Sequence, residues 1–122
     1  MFTLTADTVE QIHDDLIGPG ELAGRARDKS LEAALARVEN RLAYGMIADV
    51  CDLAAAYAMA ISRGHCFNDG NKRTAFRSMQ ICLLANGIRL RFETEEVGQK
   101  IIALAQGQID DGDLADWLRA HP

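Results

Sequence analysis

The sequence predicts an all-α protein, a compact helical bundle around a central buried pair of helices. Between turn signals, apolar residues recur every three or four positions, which is the spacing of an amphipathic helix. Residues 47–61 carry only two charges, both near the start, so this helix is expected to be buried on most sides. At 122 residues, 48% hydrophobic and 25% charged, the chain has the size and composition of one globular domain spanning residues 1–122.

Two helices are expected in the first third of the chain. Thr5 or Asp7 can cap a helix that runs to about Ile17 and ends at the Gly-Pro-Gly turn of residues 18–20. The polar stretch after this turn has no clear period and is expected to be an exposed loop. Ser30 can then cap a second helix with a regular apolar face.

The buried helix and the helix after it form the predicted central pair. Asp49 and Asp52 favour a helix N-terminus at the start of the buried segment, and residues 62–64 are expected to end that helix. The next helix is predicted to begin at Asn71, and Gly87 stands where a left-handed C-terminal cap belongs.

The last third of the chain predicts two further helices and one strand-like segment. Thr94 starts an amphipathic helix, and Asp113 is expected to cap the final one. Residues 88–92, IRLRF, alternate apolar and basic as a strand does. The fold class therefore leaves room for one minor, hairpin-like pairing of IRLRF with the N-terminal FTL.

Composition and charge argue against several classes of protein. The formal net charge of −5 disfavours non-specific nucleic-acid binding and leaves only a local basic patch as a route to it. No uncharged apolar run reaches 18 residues, and the acidic N-terminus lacks the features of a signal peptide, so no membrane contact is expected. Cys51, Cys66 and Cys82 are odd in number and show no CxxC spacing, which favours a reducing cytoplasm over disulfides or structural zinc.

The segment HCFNDGNKRTAF, residues 65–76, holds the candidate functional residues. Backbone N–H groups in the first turn of a helix lack internal partners, so residues 70–73 are predicted to form an anion site suited to a phosphate chain. Asp69 at its edge would repel phosphate unless a hard cation such as Mg²⁺ lies between them. His65 titrates near neutrality and is the candidate general base, while Phe67 is expected to anchor the loop in the core.

The sequence of this segment excludes two other kinds of site, a P-loop and a Cys–His nucleophile pair. A plain polar turn stays open as an alternative. The phosphate-binding pattern GxxxxGK[ST] is not matched, because GNKRT has no second glycine in register. A nucleophile pair of Cys66 with His65 also fails, because adjacent residues on an extended loop point apart. The buried helices on both sides, and the order of base, metal ligand and phosphate cradle, favour a catalytic loop over a turn.

HCFNDGNKR resembles the Fic/Doc signature HxFx(D/E)GN(G/K)R over nine consecutive positions. With Lys72 in the eighth place and a short chain, it is most similar to the Doc ("death on curing") branch, and the resemblance extends over most of the sequence. This resemblance implies a Fic-like helical fold and an enzyme. It implies that His65 deprotonates a target hydroxyl and that Asp69 holds Mg²⁺. The nucleotide phosphates would be bound by Gly70, Asn71, Lys72 and Arg73.

The resemblance also implies an activity and partners. A Doc-like toxin would be a protein kinase that transfers the γ-phosphate of ATP to a threonine of elongation factor Tu, arresting translation in the cytoplasm. A Phd-like antitoxin would neutralise it by inserting a disordered segment or helix. The loop that holds Arg25 and Arg27 would be a flap that positions the target, with a solvated loop as the equal alternative.

Two alternative functions stay open, an AMP-transferring Fic enzyme and a non-catalytic helical module that binds a protein. Phe76 stands where the AMP-transferring pattern often has a second arginine, which favours the Doc interpretation. Cys66 replaces a common proline and removes no catalytic group. The sequence also shows no S/TxxxE(G/N) inhibitory stretch, so restraint would have to come from the antitoxin.

Three further features have a structural and a functional interpretation. His13 falls on the apolar face of the first helix, where a hydrogen-bonded core histidine is favoured over a catalytic one. Trp117 is expected to plug the core beside the last helix. An apolar stripe on the fifth helix could receive the antitoxin helix or pack on the protein's own core, and it consists of Val97, Ile101, Ile102 and Leu104.

Overall fold

A computed structural model describes residues 1–121 and contains six α-helices within them. In chain order the helices are α1 (Ala6–Leu16), α2 (Leu31–Ala43), α3 (Val50–Gly64), α4 (Asn71–Ala85), α5 (Thr94–Ala105) and α6 (Asp111–Arg119). Over the same residues the only β-type pairing is an isolated bridge between Arg25 and Phe67. The all-α prediction is therefore confirmed. None of the six helices is long and apolar enough to cross a membrane.

Helix α3 lies at the centre and packs against α2, α4, α5 and α6, most extensively against α4. Its residues 53–58 are all buried, and four of these six positions are alanines, which let neighbouring helices approach closely. Tyr57 is fully buried among them, and its hydroxyl accepts a hydrogen bond from the Leu4 N–H at 2.9 Å. The predicted central pair is thus α3 with α4, and the loop between them joins the two most closely packed helices.

The helix starts follow the capping residues that the sequence contains. Thr5, Ser30 and Asp49 lie in extended conformations, and each side chain accepts a backbone N–H from the first turn. The predicted cap of the last helix is wrong. Asp110 caps α6 and accepts the Asp113 N–H at 2.8 Å, while the Asp113 carboxylate accepts the Asp110 N–H at 3.0 Å. This reciprocal capping box places Asp113 inside the helix.

The predicted end of α3 is also wrong, because residues 62–64 continue the helix. Ser62 is buried, and its hydroxyl lies 3.4 Å from the carbonyl of Met59. The helix ends only at His65, whose φ of 49° and ψ of 40° are left-handed. Gly87 has the left-handed conformation that was predicted for it after α4.

The expected pairing of FTL with IRLRF does not form. The side chain of Asn86 forms two hydrogen bonds with the backbone of Phe2. Its Oδ1 accepts the Phe2 N–H at 2.7 Å, and its Nδ2 donates to the Phe2 carbonyl at 3.0 Å. The Leu4 N–H is taken by Tyr57, as described above. These side chains bind the backbone of Phe2 and Leu4, and residues 88–92 belong to no helix or strand.

Candidate functional site

His65 stands at the turn between α3 and α4 and is exposed to solvent. Within residues 1–121 it is the only non-glycine residue with a positive φ. A side chain in the left-handed region costs on the order of 1–3 kcal/mol and persists only where its surroundings require it. The turn therefore holds a histidine where glycine would be less strained, at the mouth of the pair of helices.

The loop after His65 is fixed by Phe67. The Phe67 ring is buried and stacks on the imidazole of His13, with centroids 3.9 Å apart and planes inclined by 6°. Its N–H donates to Asn71 Oδ1 at 3.1 Å, and Asn71 Nδ2 donates back to its carbonyl at 2.9 Å. The Asn71 amide thus binds the loop on both sides of Phe67 and holds it against the start of α4.

His13 is buried and hydrogen-bonded, as its place on the apolar face of α1 predicts. Its Nε2 donates to the backbone carbonyl of Asp69 at 2.8 Å, and its Nδ1 lies 3.2 Å from a carboxylate oxygen of Asp14. The group that it supports is the carbonyl of a candidate site residue. His13 therefore positions the loop by stacking on Phe67 and by hydrogen bonding to Asp69.

Gly70 begins α4 in a left-handed conformation, with φ of 78° and no side-chain cap. A Cβ there would also lie 3.3 Å from Ile17 Cδ1 and 3.4 Å from Arg73 Nη2. Glycine satisfies both the backbone angle and the limited space. The first turn of α4 stays uncapped by any described side chain, which leaves its N–H groups and the positive end of the helix dipole for an anion.

A cavity of about 340 Å³ brings the predicted base, metal ligand and cradle residues together. It lies between the end of α3 and the start of α4. The residues that line it are Ser62, His65, Asn68, Asp69, Gly70, Asn71, Lys72 and Arg73.

The guanidinium of Arg73 is engaged by Glu21, a residue that the sequence did not suggest. Arg73 Nη1 donates to Glu21 Oε1 at 2.9 Å, and Nη2 contacts the second carboxylate oxygen. Hydrogen bonds from Arg73 hold the pKa of Glu21 below its usual range and raise the pKa of Arg73. The two residues lie 52 positions apart, so no local spacing could have paired them.

Asp69 is the one carboxylate that lines this cavity. Its Oδ2 accepts the Leu22 N–H at 3.0 Å. The described residues contain no cluster of three or more His, Cys, Asp or Glu side chains that could hold a metal ion. Mg²⁺ typically binds through one or two carboxylates together with phosphate oxygens and water. A single carboxylate beside an anion cradle fits an ion that binds together with nucleotide phosphates.

A second, mostly apolar cavity of about 390 Å³ begins on the other side of Lys72 and Arg73. Phe76 lines it and meets Phe92 edge to face at 6.4 Å. The residues that line it are Leu16, Lys72, Arg73, Phe76, Arg77, Gln80, Gly98, Ile101 and Ile102. The stripe predicted on α5 is split, because three of its members are buried in the core and only Ile102 is exposed.

The polar stretch before α2 is bound to the loop, unlike the freely exposed loop that was expected. Arg25 forms ion pairs with Glu10 and Glu32, so its guanidinium is committed within the fold. The Ala26 N–H donates to the Cys66 carbonyl at 2.8 Å, and the Asn68 N–H donates to the Gly24 carbonyl at 3.1 Å. Arg27 is exposed and forms no ion pair within residues 1–121. Of the two arginines, Arg27 alone is available to a target.

The remaining sequence features are placed as follows. Cys51, Cys66 and Cys82 are free and buried, and burial raises the pKa of the Cys66 thiol, which disfavours a thiolate beside His65. Trp117 is half-buried and packs beside Phe92, with ring centroids 5.9 Å apart.

Comparison with known proteins identifies the family of the chain. The model of the Fic/DOC family matches residues 3–83, a range that contains the entire loop. The protein kinase doc of Escherichia phage P1 is 38% identical over 109 residues, which are 88% of this chain and 86% of the phage protein. The chain therefore belongs to the Fic/Doc family.

Proposed function

We propose that this protein is a Doc-type toxin, a cytoplasmic protein kinase that transfers the γ-phosphate of ATP to a threonine of elongation factor Tu and so arrests translation. The observation that carries the proposal is the single cavity shared by His65, Asp69 and the uncapped first turn of α4. The likeness to a protein kinase of phage P1 supports phosphoryl transfer as the reaction. The choice of elongation factor Tu rests on the resemblance to the Doc branch.

Each side chain has a role that its position supports. The target hydroxyl gives its proton to His65 while its oxygen forms a bond to the γ-phosphorus. The bond from that phosphorus to the bridging oxygen of ADP breaks, and ADP leaves. The first turn of α4, together with Lys72 and Arg73, neutralises phosphate charge. Asp69 would hold Mg²⁺, which supplies further neutralisation of the phosphate oxygens. Phosphoryl transfer depends mainly on such positioning and charge stabilisation.

AMP transfer is the rival reaction, and two residues argue against it. Lys72 places a long cation at the cradle where the AMP-transferring enzymes usually have glycine. Phe76 replaces the second arginine of that pattern, and its ring packs against Phe92.

Labelled ATP distinguishes the two reactions. Purified protein is incubated with elongation factor Tu, Mg²⁺ and ATP labelled at either the α or the γ phosphorus. The kinase proposal expects label on the factor from γ-labelled ATP alone, and none with His65→Ala. The matched control is His121→Ala, a histidine on the C-terminal side of α6 that should leave labelling unchanged. Transfer of the α label alone would exclude the kinase, and labelling that survives His65→Ala would exclude this site.

We further propose that an acidic amphipathic helix of a Phd-like antitoxin occupies the second cavity. Its apolar lining includes Leu16, Phe76 and Ile102, and its rim carries Lys72 and Arg77. A Cβ built at Gly98 would meet no atom within 4 Å, so the surface of α5 is open at this position. An apolar strip edged with carboxylates matches this combination. Because this cavity adjoins the cradle, an occupant would cover Lys72 and Arg73.

A further inference from the structure

Residues 88–92 form a segment with a strand-like sequence that belongs to no helix or strand. Ile88, Leu90 and Phe92 are half-buried against the core. Arg89 and Arg91, between them, are exposed. The alternation that predicted a strand is therefore present in the fold, with one apolar face and one basic face.

The backbone of this segment offers open hydrogen-bonding groups. Ile88 is tied to the end of α4, because its N–H donates to the Leu83 carbonyl at 2.9 Å. Over residues 89–92, neither the N–H groups nor the carbonyl groups have a partner in the part of the chain that the structure describes. A segment with open backbone groups and alternating side chains is a template for strand addition.

A cavity of about 480 Å³ runs beside the segment. Its other wall is formed by α4 at Gln80, Leu83 and Leu84. Leu84 is 52% exposed, so an added strand could cover apolar surface there. At 1.5 Å per residue, the C-terminal end of α4 is about 20 Å from the loop at its N-terminus. This surface is separate from the kinase site, and the inference does not depend on the proposed reaction.

Charge selects the occupant of this surface. Arg89 and Arg91 form no ion pair within residues 1–121, in a chain whose net charge is −5. A second copy paired antiparallel about Leu90 would place Arg89 opposite Arg91, and like charges directly opposite are destabilising. We propose that residues 88–92 bind an extended segment of a partner protein in which acidic and apolar residues alternate. Its carboxylates would lie beside the two arginines and its apolar side chains against α4.

A synthetic peptide tests this proposal. A labelled eight-residue peptide of alternating glutamate and valine, with blocked ends, is titrated with the full chain and followed by fluorescence anisotropy. Binding should weaken about ten-fold or more in the double variant Arg89→Glu, Arg91→Glu, because two attractive pairs become repulsive. The matched control Lys29→Glu, Arg37→Glu makes the same change of charge at exposed positions on another face and should bind as the parent does. Hydrogen exchange should show protection of the amides of residues 89–92 when the peptide is present.

Three results would overturn the proposal. One is equal binding of a peptide with four glutamates followed by four valines, which would mean general charge attraction. Another is equal weakening in both double variants. The third is unchanged exchange at residues 89–92 with peptide bound to the parent chain, a measurement that does not depend on any variant folding.

Discussion

Arg73 and Glu21 form a forked ion pair across the mouth of the candidate site. The Glu21 carboxylate receives both terminal nitrogens of Arg73, and it also accepts the Gly18 N–H at 3.0 Å. A phosphate that binds the proposed cradle must therefore compete with Glu21 for the guanidinium. The sequence shows no S/TxxxE(G/N) stretch, yet the structure places a carboxylate on the arginine of the proposed cradle.

Replacing Glu21 should strengthen nucleotide binding. In Glu21→Gln the guanidinium of Arg73 is free of its competitor, and the Kd for ATP should fall about two- to five-fold, the range of an exposed ion pair. Isothermal titration calorimetry measures this. Glu32→Gln is the matched control, because it removes a carboxylate that pairs with Arg25 instead. An equal gain in both variants would point to the change of net charge.

The competition between Glu21 and ATP for the Arg73 guanidinium should weaken only as the pH falls. Arg73 lowers the pKa of Glu21 below its ordinary value of 4.5, so the carboxylate stays ionised and the ion pair persists throughout the neutral range. Protonation as the pH falls through that lowered pKa removes the competitor. The advantage of Glu21→Gln over the parent in ATP binding should thus be constant near neutrality and shrink below about pH 4.5. An advantage that changes between pH 6 and 8 would contradict this assignment.

His65→Ala should lower the rate of phosphate transfer on the order of 10²–10⁴-fold, because a general base is lost. ATP affinity should change little, since the cradle lies in α4. Single-turnover labelling and calorimetry measure the two quantities separately. If the transfer rate and the ATP affinity fall together, His65 binds the nucleotide and does not act as the general base.

His65→Gly should separate stability from activity. Glycine accepts a φ of 49° without strain, so this variant should be more stable than His65→Ala by about 1 kcal/mol, while both should show the same large loss of transfer rate. Urea unfolding followed by circular dichroism gives the free energies. Equal stability of the two variants would mean that the left-handed backbone at this turn costs nothing.

Gly98→Leu tests the surface proposed for the antitoxin. The added side chain would enter the cavity between α4 and α5, so binding of a Phd-like antitoxin should weaken at least ten-fold. Gly98→Ala is the control of choice, because it makes a similar change in helix propensity and adds only a methyl group. Biolayer interferometry compares the two, and equal affinities would place the antitoxin elsewhere.

Local chemistry explains why much of the fold was predictable. The caps Thr5, Ser30 and Asp49 act within one helical turn, and helical spacing of apolar residues identifies a face without reference to the rest of the chain. The start of α4 was predictable in the same way. The order of groups in residues 65–73 could be interpreted as base, metal ligand and cradle because all of them belong to one short loop.

Two predictions failed because two residues or two segments compete for the same partner. Asp110 and Asp113 can each cap a helix, and the capping box that joins them decides which is outside it. The N-terminal backbone could pair with residues 88–92, but Asn86 and Tyr57 satisfy it first. Such competition depends on geometry that no local pattern contains.

By itself, the sequence determined the all-α class, the helix starts at Leu31 and Asn71, and the family signature in residues 65–73. Only the tertiary structure decided what surrounds that loop. It brought Glu21 to Arg73, His13 to the carbonyl of Asp69 and the Leu22 N–H to its carboxylate. The physical reason is that these contacts join residues 47 to 56 positions apart, whose approach depends on how α1 and α4 pack.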